Sequence, residues 1–364
     1  MTSKSTNANQ IKTLKSINQK IKNIRFDKHA RASGLKKRKA QKITGKTLLI
    51  AFMLMALQGN NSFSLWAEKI CNITCKTVSK QAVWKKVSRC LTHFLSAILL
   101  EALGKQVSTD TTVQLCKSKL KRYKRVLLQD STVIALPVIL SKFFPGNVSR
   151  GKQKAQLKIQ VIFDLLSNRF IHFEITPYTA NDQSKSKDIL DIAQQGDLVI
   201  RDLGYFSLPC FKEMSNQNFH YISRIKYDVK IFDIETGKEK NLLRILRKEK
   251  SFDQWVLIGA EQKVMMRLVI LPLSKEQANQ RRYKAKHDRD QRFNHDKKHY
   301  EMLGYSLLIT TESKNVLTPL QVVKAYGCRW RIESIFKCGK SQFHLQKLFP
   351  SHVSISKQRA EAII

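Results

Sequence analysis

The hydrophobic pattern of this chain changes period near Arg122, and that change constrains its fold most. Upstream, from Thr47 to about Leu103, apolar residues recur at helical spacing with no strand alternation. Downstream, Arg125-Val-Leu-Leu-Gln-Asp130 is a short apolar run ending on an acid, which reads as a buried strand. Phe143 to Asn147 reads as a loop. Ala155 to Asp164 alternates, and Phe170 to Ile175 follows the turn Ser167-Asn168-Arg169, so the two predict a hairpin. Ser186 to Gln194 predicts a short amphipathic helix, and Leu198-Val-Ile-Arg-Asp202 a second apolar strand ending on an acid.

The order is strand, strand, strand, helix, strand, which is that of a ribonuclease-H-like α/β fold. In that fold the first and fourth strands are neighbours, so Asp130 and Asp202 are expected to meet at one edge of the sheet. Residues 207–304 interrupt this core with strand-like runs (Phe219–Ile225, Trp255–Gly259, Val264–Leu271) and a very polar stretch from Glu276 to Tyr300. They read as a β-rich insertion with a basic connector. Tyr305 to Thr311 returns to a buried strand, and Pro319 to Phe343 predicts one helix with Pro319 in its first turn. The expected organisation is a basic arm over 1–46, a helical DNA-binding region over 47–110, and a core over 120–206 and 305–350 split by the insertion. A further helical region begins in 351–364, where the chain stops as though truncated.

Charge names the partner class. Lys and Arg number 66 against 28 Asp and Glu, a formal net charge of +38. Such an excess attracts polyanions, double-stranded DNA first and an acidic membrane surface second. Lys36-Lys37-Arg38-Lys39 closes the basic arm. Leu65–Ile70 and Thr77–Lys86, with Ser79 as N-cap, read as a helix-turn-helix whose basic second helix enters a major groove. The apolar run Thr47–Gln58 falls short of the ~20 residues a spanning helix needs, so a buried helix is expected and no membrane role. Seven scattered cysteines fit reduced thiols in the cytoplasm rather than a disulfide framework.

Near the end, Tyr326, Arg329, Glu333 and Lys340 are separated by three, four and seven residues, steps that return to one face of a helix. That face carries one acid among cationic and phenolic groups. Asp130, Asp202 and Glu333 together suit two Mg²⁺ ions, with Mn²⁺ able to serve, for in-line displacement at phosphorus. Arg329 suits bidentate phosphate binding, Lys340 a point charge and Tyr326 a hydroxyl donor. Other candidates are weaker. His287, His295 and His299 with Asp288, Asp290 and Asp296 sit in a charge-rich connector without an apolar frame. Gly45-Lys46-Thr47 mimics the end of a phosphate loop, but Ala40 stands where its first glycine belongs. Asn181-Asp182 reads as an Asx turn.

The spacing Tyr-x2-Arg-x3-Glu-x6-Lys resembles the signature of DDE transposases of the insertion-sequence-4 type, and it matches at all four positions. Asp130-Ser-Thr resembles the region of that family's first acid. Asp202-Leu-Gly-Tyr205 resembles its Asp-Arg-Gly-Tyr element, with Leu203 in place of the basic residue. Thr179 followed by Asn181-Asp182 also resembles the family. The resemblance implies Asp130, Asp202 and Glu333 as catalytic metal ligands and Tyr326, Arg329 and Lys340 as contacts to the transposon end. It further implies cut-and-paste transposition by a nucleoid-associated homodimer; members of the family commonly pass through a hairpin at the transposon end, and a hairpin or another cleavage pathway fits this sequence. The alternatives are a truncated, non-catalytic DNA-binding protein acting on the same ends and a stand-alone ribonuclease-H-like nuclease.

Overall fold

The computed structural model describes residues 21–38, 42–59, 62–104, 119–149, 151–249, 251–287, 296–341 and 344. Half of the basic arm, including Lys39 of its terminal cluster, Asp288, Asp290 and His295 of the connector, and the whole of 351–364 lie outside the described residues.

Helices come first: α1 (Phe26–Ala32), α2 (Gly45–Gln58), α3 (Phe63–Thr74), α4 (Lys80–Lys86) and α5 (Arg89–Gly104). Each start of α2, α3 and α4 is set by a hydroxyl cap. Thr44 and Thr47 form a reciprocal capping box at α2, Ser62 accepts from Leu65 N at 3.0 Å, and Ser79 accepts from Ala82 N at 3.2 Å. Helix α2 ends on Gly59 at φ +65°, a left-handed stop that favours glycine. It buries Leu48, Ile50, Ala51, Met55 and Ala56, as expected for the run Thr47–Gln58. Among the described residues no helix is long and apolar enough to cross a membrane.

The strands are β1 (Val126–Leu136), β2 (Pro145–Ser149), β3 (Lys152–Asp164), β4 (Arg169–Pro177), β5 (Leu198–Arg201), β6 (His220–Arg224), β7 (Ile231–Phe232), β8 (Glu239–Lys240), β9 (Phe252–Ile258), β10 (Val264–Pro272) and β11 (Tyr305–Thr310). They form one mixed sheet in the order β2-β3-β1-β5-β6-β11-β10-β9-β7-β8, with β4 also paired to β3. The later helices are α6 (Leu208–Asn216), α7 (Leu242–Lys248), α8 (Lys275–Lys286), α9 (Lys297–Met302), α10 (Pro319–Gly327) and α11 (Trp330–Ser341).

Strand β5 runs parallel to β1 with Gln129 opposite Arg201, so the next residue on each, Asp130 and Asp202, lies at the same level. The central strands are covered on both faces, which explains their near-continuous apolar runs. Val126, Leu128, Leu198 and Ile200 share a core with Val322 and Ala325 of α10 and Ile332 of α11. Leu127, Val199 and Tyr221 share another with Phe211 and Met214 of α6.

Four local readings are corrected and a fifth takes its place in the sheet. Strand β1 does not end at Asp130 but continues to Leu136, because β3 pairs with it along that whole length. The expected loop at Phe143–Asn147 contains the start of β2, which takes up ladder positions on β3 beyond the reach of β4. The segment after Ser186 is a 3-10 helix, Ser186–Asp191, rather than an α-helix. The run Phe219–Ile225 is a strand as expected, β6, and it sits between β5 and β11 in the sheet. The polar stretch from Glu276 carries α8, started by Ser274, which accepts from Gln277 N at 3.3 Å.

Candidate active site

The helix expected over Pro319–Phe343 is two helices. Its chain tightens at the junction, where Cys328 N bonds to Ala325 O, Arg329 N to Tyr326 O, and Ile332 N to Arg329 O, each three residues back. Tyr326 thus closes α10, Arg329 sits in the turn, and Glu333 opens α11. Thr318 caps α10 in a box with Gln321. The packing of Val322, Ala325 and Ile332 against the sheet then sets this junction above Asp130 and Asp202.

Three acids converge on one cation there. Arg329 Nη1 donates to Asp130 Oδ2 at 2.8 Å, and Nη2 donates to Glu333 Oε1. Its Nε lies 3.8 Å from Asp202 Oδ1, an ion pair too long for a hydrogen bond, and is buried without a hydrogen-bond partner. Tyr326 OH donates to Asp202 Oδ1 at 3.2 Å. Burial, then the nearby Asp202 carboxylate, raises the phenol well above its ordinary pKa, so it stays a donor. Burial works against the Arg329 charge, yet Asp202, Asp130 and Glu333 together hold its pKa above the usual value.

Asp130 is the most enclosed acid of the three, with its side chain 13% exposed against 35% for Asp202 and 31% for Glu333. Burial pushes its pKa up to about 6; Arg329 and the Ser131 N–H pull it down, and Asp202 and Glu333 push it up. Lys340 is half-buried, and burial lowers its ammonium pKa. It makes no hydrogen bond or ion pair with these acids among the described residues. The site therefore gathers Asp130, Asp202, Glu333, Tyr326 and Arg329, and leaves Lys340 apart.

Among the described residues no group of three or more His, Cys, Asp or Glu side chains is set around a common metal position. The guanidinium stands at the centre instead. The donor set still suits a hard divalent cation, because among the described residues Asp202 Oδ2 and Glu333 Oε2 carry no hydrogen bond. Beside Tyr326 and Arg329 opens a cavity of about 200 Å³ whose lining includes Arg224, Arg281 and Tyr227. Neither arginine was singled out by sequence: Arg224 falls in a strand-like run and Arg281 in an ordinary basic one.

The weaker candidates have structural tasks. His287 stacks on Tyr283, with ring centroids 4.0 Å apart, and Asp296 caps α9 through His299 N at 2.8 Å. Asn181 does make the expected turn, accepting from Ser184 N at 2.7 Å. Its neighbour Asp182, read only as part of that turn, does more. Asp182 Oδ1 accepts from Ser131 Oγ at 2.8 Å, Lys158 Nζ at 3.0 Å and Gln160 Nε2 at 3.3 Å. One signal could have found it: Lys158 and Gln160 are buried polar residues of β3, so they require a partner.

Comparison with known proteins adds a second kind of finding. The family model described as Transposase DDE domain matches residues 121–350. The transposase for insertion sequence element IS231D of Bacillus thuringiensis subsp. finitimus is 28% identical over 88% of this chain and 71% of its own length. The IS231B transposase of Bacillus thuringiensis subsp. berliner is 26% identical, over 87% and 70%. The IS1151 transposase of Clostridium perfringens is 25% identical, over 92% and 74%.

Proposed function

Because this chain belongs to the transposase DDE domain family, we propose that Asp130, Asp202 and Glu333 carry the chemistry of its reaction. The chain is a DNA transposase, an enzyme of DNA cleavage and strand transfer, and its family uses divalent metal. The reading of the three acids rests above all on their convergence on Arg329 from three separate parts of the chain. Their level on β1 and β5 and the α/β order around them support a ribonuclease-H-like core over 120–206 and 305–350. In this reading β6 joins that core, and the rest of 207–304 is the insertion.

Asp130, Asp202 and Glu333 are the side chains that would hold two Mg²⁺ ions. When bound, such ions supply Lewis-acid charge for attack by water or a 3′-hydroxyl on a phosphodiester. The chain's own residues do the positioning. Arg329 has a planar fork that a DNA phosphate can take up bidentately, in exchange for its carboxylate partners. Tyr326 offers a hydroxyl held protonated by burial. Arg224 and Arg281 extend the cationic face on which the strand lies, and Lys340 adds charge one helical stretch away. With a pKa about 6, Asp130 is mostly carboxylate at neutral pH and ready to ligate. Helices α3 and α4, with the basic arm, form the DNA-binding region, and the active complex is a homodimer on paired transposon ends in the nucleoid.

The test is strand nicking of a labelled duplex carrying the element's own terminus, in Mg²⁺. Nicking by the wild type that falls at least 10³-fold, on the order of a lost transition-state group, in each of Asp130→Ala, Asp202→Ala and Glu333→Ala is the expected result. Tight binding without nicking by the wild type would assign the chain to non-catalytic end binding.

A further inference from the structure

Behind the three acids, on the other face of the sheet, a second polar network has no assigned role. Asp182 lies in the connection between β4 and β5. Its Oδ1 takes all three donors named above: Ser131 Oγ, Lys158 Nζ and Gln160 Nε2. Ser131 follows Asp130 on β1, and its backbone N–H donates to Asp130 Oδ1 at 2.8 Å. Gln160 stands opposite Ser131 on β3, and its Oε1 accepts from Tyr205 OH at 2.5 Å. Tyr205 closes the 3-10 turn that follows Asp202. Gly204, in that same turn, lies so close that a Cβ added to it would stand 3.1 Å from Asp182 Oδ2. One carboxylate therefore touches the residue after Asp130 and the second residue after Asp202.

We propose that Asp182 is a positioning residue that fixes Asp130 and Asp202 relative to each other, and through them the strength with which the site holds a divalent cation. The proposal rests on the reading of Asp130 and Asp202 as metal ligands. A plain structural role is the competing account, since Asp182 pairs with Lys158, whose side chain is only 10% exposed. Removing Asp182 leaves that buried ammonium without its carboxylate. The two accounts separate because it is Asp182 that accepts from Ser131 Oγ and stands beside Gly204.

The experiment counts free Mn²⁺ by electron paramagnetic resonance in solutions of the full chain, without DNA. The wild type, Asp130→Ala, Asp182→Ala, Asp182→Asn, Lys158→Met and Gly204→Ala are compared, each with its thermal midpoint. Outer-shell partners of metal ligands are worth about 10- to 100-fold in affinity. Asp182→Ala is expected to weaken Mn²⁺ binding by about tenfold or more. Asp182→Asn, which keeps an acceptor for Ser131, recovers most of it. Lys158→Met, which removes the same ion pair, stays within about twofold of the wild type. Gly204→Ala weakens binding, and combined with Asp182→Ala it costs less than the two separate effects together, because the shortened side chain removes the crowding.

Equal loss in Lys158→Met and Asp182→Ala, or unchanged binding in Asp182→Ala, overturns the proposal while leaving the site reading intact. Wild-type binding that Asp130→Ala does not reduce, or no wild-type binding at all, overturns both.

Discussion

A carboxylate on a buried strand loses hydration that only opposite charge or hydrogen bonds can offset. At Asp130 the offset is incomplete. Arg329 and the Ser131 N–H favour its charged form, burial and two nearby acids oppose it, and its pKa stands at about 6 against an ordinary 3.8. The sign of the consequence follows. Between those values the folded chain binds more protons than the unfolded chain, so this residue's contribution to stability is fully present below about pH 4 and is lost as pH rises through about 6. Asparagine imitates the protonated acid. Asp130→Asn should therefore match the wild type at about pH 4 and exceed it at about pH 8, by up to about 3 kcal/mol. Urea midpoints in chelator-treated buffer at the two pH values measure this. Parallel curves would show that Arg329 compensates the charge in full. A group whose ionisation costs the fold is more readily explained by what it binds than by what it stabilises.

Among elements, α4 has little intrinsic support: seven residues, where isolated helices under about 12 to 15 are marginal in water. Its order depends on Val83 in the core, on Lys85 and Lys86 at the carbonyl end of its dipole, and on Ser79 at its start. Ser79→Ala should cost about 1 kcal/mol locally. Hydrogen exchange of the α4 amides should then speed up about fivefold while the β1 and β3 amides stay as they are. Equal protection in the variant would mean that tertiary contacts alone set the helix.

The same element-scale physics explains what was legible. Caps and apolar runs are local, so Ser79, α2, β3, β4 and the neighbouring placement of β1 and β5 could be read from a few residues each. Strand β2 could not, because it exists only where β3 offers it an edge. The break at Cys328–Arg329 could not either: the periodic pattern runs through it, and the steps of three and four survive a turn bonded three residues back. Of the site, five of the six expected residues met because their spacing was readable. Asp182 was hidden because its partners lie 51, 24 and 22 residues away along the chain.

At the scale of the whole molecule, the disposition of acids matters as much as the formal +38. With only 28 Asp and Glu, the chain commits several to the interior. Asp164 and Asp197 are buried at β1, Asp182 is tied to Lys158, and Asp130 and Glu333 are bound to Arg329. Cations are left to dominate the outside. They crowd a cleft of about 870 Å³ among the N-terminal helices, where Lys36, Lys37, Arg38, Lys42, Lys85 and Lys86 line the wall with no acid among the lining residues. Lysines and arginines so arranged meet phosphates and release condensed counterions, so affinity for duplex DNA falls steeply with salt. With about six to ten phosphate contacts, binding should weaken roughly 10³- to 10⁵-fold between about 50 and 200 mM salt. Fluorescence anisotropy of a labelled duplex of arbitrary sequence measures this, since phosphate contacts carry no base information. In Lys85→Ala/Lys86→Ala the slope of log affinity against log salt should flatten by about 1.8, two contacts' worth. A slope that stays unchanged would move the duplex away from the α4 end of the cleft, toward the cations beside Arg329.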